Sequence, residues 1–358
     1  MDPTKGSTKQ YFGTKGSCIG EVPLFIEDLL DQPLMFVGWL CTVFDVIGKD
    51  EVRLVEKEPR TYQNPTWPHN LMLQQLFKKQ NENMLEHRFA TPSALGMSIP
   101  QEWWRLVHMT LSSGRRYFNW DGKRWDASII AEELCLCFKL RLRHLDFSNY
   151  PGGRDAAIQV SAVLLAEEIY SLCILPNGDI VMTDGGLKSG SCLTSTNNTL
   201  IHVMRWLLMW AVSGRSVLHF PEFIRDTGLL VFGDDGIAKA VTRDQQAFFE
   251  SAPGLYSKLF GRELVLDTFA NPSGPVFLGK RSAGDSIPEI YNCVVAEVDR
   301  DVASLYFKGR NDPQRALEAG VAHRLLLGTG QKLSLHASVL SALDHDLINL
   351  IDAYFPDA

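Results

Sequence analysis

The sequence contains no CxxC pair, and its seven cysteines are an odd number. Neither a zinc-finger spacing nor a fully paired disulfide framework is therefore written into it. Cys135 and Cys137 are two apart in a helical pattern and point to different faces. They read as reduced thiols. The nine histidines are scattered, without ligand spacing beside the cysteines. An excess of positive charge is also missing: 35 Lys and Arg face 42 Asp and Glu, for a net charge of −7. A path for nucleic acid must then come from local basic clusters rather than from the chain as a whole. Residues 1–10 are polar and charged, which predicts no secretory leader. The most apolar helical stretch, 202–212, is too short to span a bilayer and contains Arg205. A soluble protein without direct membrane insertion is expected. Internal repeats and low-complexity tracts are absent. What remains is a globular composition, 45% hydrophobic and 22% charged over 358 residues. It leaves room for two or three interleaved subdomains.

Residues 1–20, rich in Gly, Ser, Thr and Lys, read as loop, and 49–60 (KDEVRLVEKEPR) mix charges of both signs. Periodicity predicts helices over 70–87, 100–111, 127–145, 155–172, 191–212 and 243–260. The first has Leu71, Leu73, Leu76 and Phe77 on its apolar face. Short strands are predicted at 117–121, 229–232, 237–241, 276–279 and 293–297. Asn177-Gly178 between apolar runs predicts a tight hairpin pairing 173–175 with 180–182. From 299 onward the pattern is mostly helical. Strands, hairpins and helical additions together indicate an α+β protein.

Three groups of residues carry chemistry. Gly233-Asp234-Asp235-Gly236 is predicted to turn between two strands, with two acids at a hairpin tip. Adjacent acids repel unless solvent or a cation neutralises them, and a divalent ion with oxygen ligands does so. A GDD tripeptide alone arises by chance in roughly one chain in ten of this length, so by itself it reads as a solvated turn. Asp121 and Asp126, in NWDGKRWDASI, supply a second acidic segment at a strand end. Two such segments can hold two Mg²⁺ ions about 3.5–4 Å apart, a separation suited to in-line phosphoryl transfer. The third group is GLKSGSCLTSTNN at 186–198. Its Gly–Ser loop, with Ser189 and Gly190, opens a helix on which Thr194 and Asn198 share a face. Such a start can approach phosphate or sugar, or be an ordinary cap made by Ser189 or Ser191. Taken alone, the two readings balance.

In order, DxxxxD (Asp121, Asp126), SGxxxTxxxN (Ser189, Gly190, Thr194, Asn198) and GDD resemble motifs A, B and C of positive-strand RNA virus polymerases. The separations, about 68 and about 45 residues, fit as well. The resemblance is closest to the picornavirus-like supergroup, and 80–96 is similar to astrovirus- and sobemovirus-type enzymes. KDEVR followed by Lys57 is similar to motif F, which implies that Lys49, Arg53 and Lys57 roof the nucleotide entry. Arg60 would contact the incoming triphosphate, an anion that a guanidinium binds bidentately. FLGKR at 277–281 resembles motif E, the primer grip, giving Lys280 and Arg281 to RNA. Residues 14–20 correspond in place to motif G. Where motif D would offer a lysine as general acid none aligns; Lys258 and Arg262 are neighbours, and the role stays unassigned.

The resemblance implies a right-hand polymerase fold: fingers at 1–112 with motif F, a palm at 113–285 and a helical thumb at 286–358. The palm would be an RRM-like antiparallel sheet carrying motifs A to E, with a fingers insertion at about 148–184. It further implies an RNA-directed RNA polymerase serving viral genome replication and transcription. Asp121, Asp234 and Asp235 would be its catalytic metal ligands, for two Mg²⁺ ions or Mn²⁺ as a substitute. Asp126, Ser189, Gly190, Thr194 and Asn198 would join the motif F residues in binding nucleotide. Template and nascent RNA, ribonucleoside triphosphates and other viral replication proteins would be its partners, in membrane-associated complexes of the host cytoplasm. The small final helical region points to a compact enzyme or a polyprotein fragment. Two alternatives stand beside this reading. A reverse transcriptase-like polymerase is disfavoured by Gly233 before the acid pair and by the Asp126/Asn198 pair, where an aromatic steric gate is usual. A catalytically silent RNA-binding homologue is disfavoured by the intact acids.

Overall fold

The structure, a computed structural model, describes residues 30–33, 42–49 and 60–296. Arg53, Lys57, the 14–20 segment and everything expected beyond residue 296 lie outside the described residues. In chain order the elements begin with β1 (Val43–Gly48), β2 (Thr61–Asn64), α1 (Trp67–Glu86), α2 (Ile99–Leu106) and β3 (Arg116–Gly122). Next come α3 (Trp125–Ser128), α4 (Ala131–Arg143), α5 (Gly153–Ile169), β4 (Leu172–Ile174), β5 (Ile180–Met182) and α6 (Thr194–Val212). The chain continues through α7 (Phe220–Thr227), β6 (Leu230–Phe232), β7 (Asp235–Ala240), α8 (Arg243–Phe260) and β8 (Leu264–Phe269). A last ribbon pairs β9 (Lys280–Ser282) with β10 (Cys293–Val295).

The central sheet is antiparallel throughout, in the order β6-β7-β3-β8. Its strands alternate so that both faces are covered. On one face Tyr117, Leu230 and Ile237 pack with Trp103 and Leu106 of α2. On the other, Phe118, Trp120, Val231 and Ala238 pack with Trp206 of α6 and Phe248 and Phe249 of α8. Burial of each large apolar side chain there contributes about 1.5–3 kcal/mol. The ends of α8 follow from its sequence. Thr242 accepts the Gln245 N–H at 3.2 Å, Gln245 returns a bond to the Thr242 N–H at 3.0 Å, and Gly261 closes the helix.

A second sheet, β2-β1-β4-β5, joins distant parts of the chain. β1 pairs antiparallel with β2 and parallel with β4, and β4–β5 is the hairpin expected around Asn177-Gly178. Its loop is wider than a two-residue turn, closing with the Leu175 N–H on the Asp179 carbonyl. Beneath it, the fully buried His69 ring contacts Glu167 at 2.9 Å and Glu168 at 3.2 Å. Those two carboxylates hold the imidazolium and raise its pKa to about 9, against the opposing effect of burial.

Three expectations need correction. The helix expected over 127–145 is two helices, α3 and α4. Arg205 takes the Ser128 carbonyl at 3.1 Å, and Glu133 takes the Ile130 N–H at 3.1 Å, so the helical ladder breaks between them. The strand expected at 276–279 begins instead at Lys280, after a tight turn in which Phe277 and Lys280 exchange both backbone bonds. The hairpin tip is Gly233-Asp234 alone, because Asp235 and Gly236 already pair with Phe232 and Val231. The strands β1, β2 and β8 have no counterpart among the expected ones. Among the described residues, no helix is long and apolar enough to cross a membrane.

Candidate active site

Asp121 lies at the end of β3, one residue beyond the last β3–β7 pair, Trp120 with Gly236. Asp234 is in the β6–β7 turn and Asp235 opens β7. The three carboxylates therefore gather at one end of the central sheet, and their charges act on one another. Burial and the charge of Asp234 push the Asp121 carboxyl above its ordinary value. Asp234 is pushed up by burial and by Asp126. Burial, then Asp234 and Asp121, push Asp235 up to about 7. Arg60 opposes the rise at both Asp121 and Asp234, and Lys49 opposes it at Asp234. The two basic residues meet at the base of the 50–59 segment, where the Lys49 N–H donates to the Arg60 carbonyl at 2.8 Å.

Beside these acids stands a hydrogen-bonded group built from α3 and α6. Asp126 accepts from the Ser189 hydroxyl at 3.0 Å and from the Asn198 amide at 3.1 Å. Asn198 in turn accepts the Trp125 indole N–H at 2.8 Å, which fixes which way its amide faces. Gly190 brings the loop against β2, its N–H on the Gln63 carbonyl at 2.8 Å. A Cβ at Gly190 would come within 2.6 Å of that carbonyl oxygen, so only glycine allows the approach. Thr194 is not a direct member of the Asp126 group. Its hydroxyl contacts the Lys188 and Ser191 carbonyls at 2.6 and 2.7 Å, tying the loop to the start of α6. Ser191 accepts the Leu193 N–H at 3.4 Å in the loop ahead of α6, which has no side-chain cap, while Ser189 is taken by Asp126.

Several residues outside the expected set shape the site. Lys188 is buried, and its ammonium donates to Thr183 and to the Gly185 and Gly186 carbonyls, holding the loop from inside. His202 on α6 bonds Gly233 and Trp120, and burial pushes its pKa down to about 3. Arg205 joins Glu133, Ser128 and Tyr256 beneath Trp125. A histidine or arginine on an apolar helical face carries no sequence signal of its own partners. Only the spacing of His202, four after Asn198 on the same face, offered a hint. Lys280 and Arg281 sit on the β9–β10 ribbon, apart from the sheet that carries the carboxylates.

The donor set at the sheet end is all oxygen, which suits a hard divalent cation. Among the described residues, no three His, Cys, Asp or Glu side chains converge closely enough to form a cage by themselves. Mg²⁺ is ordinarily held by one or two carboxylates together with substrate phosphates and water, so an open acidic pair fits it. Mutual repulsion of Asp121, Asp234 and Asp235 is the second indication, since a cation would relieve it.

A family model described as viral RNA-dependent RNA polymerase matches residues 44–261. The chain is 24% identical over 231 residues to the genome polyprotein of Bean yellow mosaic virus, covering 64% of the chain and 7% of that polyprotein. It is 23% identical over 327 residues to the genome polyprotein of Turnip mosaic virus (strain Japanese), covering 88% of the chain and 10% of the polyprotein. The chain thus matches a tenth or less of each of these relatives.

Proposed function

The chain belongs to the viral RNA-dependent RNA polymerases, whose family model spans more than half of it, and on that premise we propose that it extends RNA on an RNA template. The 3′-hydroxyl of the growing strand attacks the α-phosphate of a ribonucleoside triphosphate, and pyrophosphate leaves. Asp121 and Asp234 would hold two divalent ions, Mg²⁺ or Mn²⁺, with Asp235 as a peripheral ligand. Those ions supply activation of the attacking hydroxyl and charge neutralisation at the leaving group. Lys49 and Arg60 draw the triphosphate toward the carboxylates, Arg60 by a bidentate fork. Asp126, held by Asn198 and Ser189, meets the ribose 2′-hydroxyl. Positioning and electrostatic stabilisation supply most of the rate in such chemistry.

The family implies a right-hand fold. We assign fingers to 1–112, palm to 113–285 with a fingers insertion at about 148–184, and thumb to 286–358. Lys280 and Arg281 are assigned to the primer strand, and Arg53 and Lys57 to the nucleotide entry. Template sequence is read by base pairing, so the protein contacts backbone and shape. Other viral replication proteins in membrane-associated complexes of the host cytoplasm are its proposed company.

What carries the reading is the meeting of Asp121 with the Asp234 turn beside the Asp126–Asn198 pair. Primer extension with Mg²⁺ on a homopolymeric RNA template, ribo- and deoxynucleotides side by side, tests it. Ribonucleotide extension is expected. Preference for deoxynucleotides, or no extension by wild-type protein, would sink it.

A further inference from the structure

The Asp121 carboxylate is carried on β3 and the Asp234 carboxylate on the β6–β7 turn. Their spacing depends on how β3 is fixed against the Gly233-Asp234 turn, and the β3–β7 ladder stops just short of both, at Trp120 and Gly236. One buried side chain spans that gap. His202, 1% exposed, has Nδ1 at 2.8 Å from the Gly233 carbonyl and Nε2 at 2.7 Å from the Trp120 indole nitrogen. An indole N–H only donates and a carbonyl only accepts. The ring is therefore neutral with its proton on Nδ1, donating to Gly233 and accepting from Trp120. Neither bond survives if the ring turns over.

Both neighbours are themselves held. The Gly233 N–H donates to Thr199 at 3.0 Å, so α6 grips both backbone groups of the residue before Asp234. The Trp120 indole, on the residue before Asp121, lies against Gly236, where a Cβ would stand 2.1 Å from the ring. It also packs on Trp206 with centroids 4.7 Å apart. Finally, the Trp125 ring, whose N–H holds Asn198, lies 4.5 Å from the His202 ring.

We propose that His202 is a positioning residue: Nε2, accepting from Trp120, orients the ring, and the Nδ1–H bond to Gly233 sets the separation at which Asp121 and Asp234 meet a divalent ion. The inference rests on the polymerase reading of these acids. His202 itself touches neither nucleotide nor ion. Because Asn198 lies one helical turn earlier on the same face, α6 carries the ribose-facing amide and this clamp on one rigid element.

Three variants separate the clamp from bulk packing. His202→Asn can present an amide N–H where Nδ1 stood and keep the bond to Gly233. His202→Gln places its amide near the Nε2 position and loses that bond, and His202→Leu loses both. Each is measured for Mn²⁺ affinity of the nucleotide-free protein by electron paramagnetic resonance, for amide exchange at 231–236, and for kcat and KM of single-nucleotide addition. The Leu and Gln variants are expected to lower kcat about 100-fold, the cost of a misplacement of about 1 Å, with KM near wild type. Their Mn²⁺ affinity falls and exchange at the turn speeds up, while His202→Asn returns all three readouts to near wild type. Equal losses in the Asn and Gln variants, or wild-type Mn²⁺ affinity and exchange in the Leu and Gln variants, overturn the proposal. Should the Leu variant fail to fold, the Asn/Gln comparison carries the test. If wild-type protein adds no ribonucleotide, the polymerase reading fails, and the Mn²⁺ and exchange measurements still decide the clamp.

Discussion

The Asn198 amide nitrogen lies 3.1 Å from the Asp126 carboxylate, and its amide oxygen is occupied by the Trp125 indole. Asn198 thus holds Asp126 on one side while Ser189 holds it on the other. In the proposed reaction this pair senses the 2′-hydroxyl, and a site that bonds a hydroxyl is left unpaired by a substrate lacking it. Asn198→Ala is expected to narrow the ribo-to-deoxy ratio of kcat/KM by roughly 10- to 100-fold. It also orphans the buried Trp125 N–H and costs about 1–3 kcal/mol of stability. Asp126→Ala is expected to act on the ratio in the same direction. An unchanged ratio, with both nucleotide classes falling together, would reduce Asn198 to a packing role.

Asp234→Asn is expected to abolish nucleotide addition while leaving RNA binding near wild type, and Asp235→Asn to be milder. Removing either carboxylate also relieves the repulsion within the acidic group. In EDTA at pH 8 both variants should therefore melt above wild type, and added Mg²⁺ should stabilise wild type more. Thermal melting with and without Mg²⁺ measures both effects. Near-normal extension by Asp234→Asn would remove the two-metal mechanism.

Arg60 acts electrostatically on both Asp121 and Asp234, and in the proposed reaction it contacts the triphosphate. Arg60→Ala is expected to raise KM for all four nucleotides alike, because it reads phosphate and not base. Lys49→Ala should do the same more weakly, as an ammonium lacks the guanidinium fork. Steady-state kinetics with each nucleotide decides it, and a base-selective change would move Arg60 out of that role.

His69 between Glu167 and Glu168 makes stability depend on pH. Its folded pKa of about 9 lies above the ordinary 6.5, so the native state binds the proton more tightly than the unfolded chain. The stabilisation is full below pH 6.5 and is lost as pH rises through about 9. Melting curves from pH 6 to 10 on wild type and His69→Gln measure it. The variant should lose most of the alkaline decline and be less stable than wild type at pH 6.

At Gly190 the added methyl of Gly190→Ala would meet the Gln63 carbonyl oxygen at 2.6 Å and the Asn64 Cα at 2.8 Å. Backbone cannot yield as a flexible side chain does, so the loop must lift from β2. A loss of about 1–3 kcal/mol is expected, with lower kcat/KM because Ser189 leaves Asp126. Denaturant unfolding and single-nucleotide kinetics on the one variant test both halves.

The carboxylates, Ser189 and Asn198 were legible because local spacing carries them: strand end, glycine loop and helix face each have a short-range pattern. The partners that orient them were not. His202 bonds a carbonyl 31 residues away and an indole 82 away, and no window of sequence contains all three. The break between α3 and α4 was hidden for the same reason, since its cause is Arg205, 77 residues on. Thr194 has the helical spacing of a site residue, yet its hydroxyl bonds nearer carbonyls. β8 reads LVLDTF, three apolar residues followed by two polar ones, with no two-residue alternation to mark it as a strand.

The pairing of β3 has a further consequence, for the order in which the chain is made. Its partners β7 and β8 both leave the ribosome more than a hundred residues after it. At about 5–20 residues per second, the aromatic strand bearing Phe118 and Trp120 waits roughly 5 to 30 s for its neighbours. β1 waits comparably for β4. The central sheet cannot mature until β8 has been made, so the aromatic β3 stays unpaired for that interval.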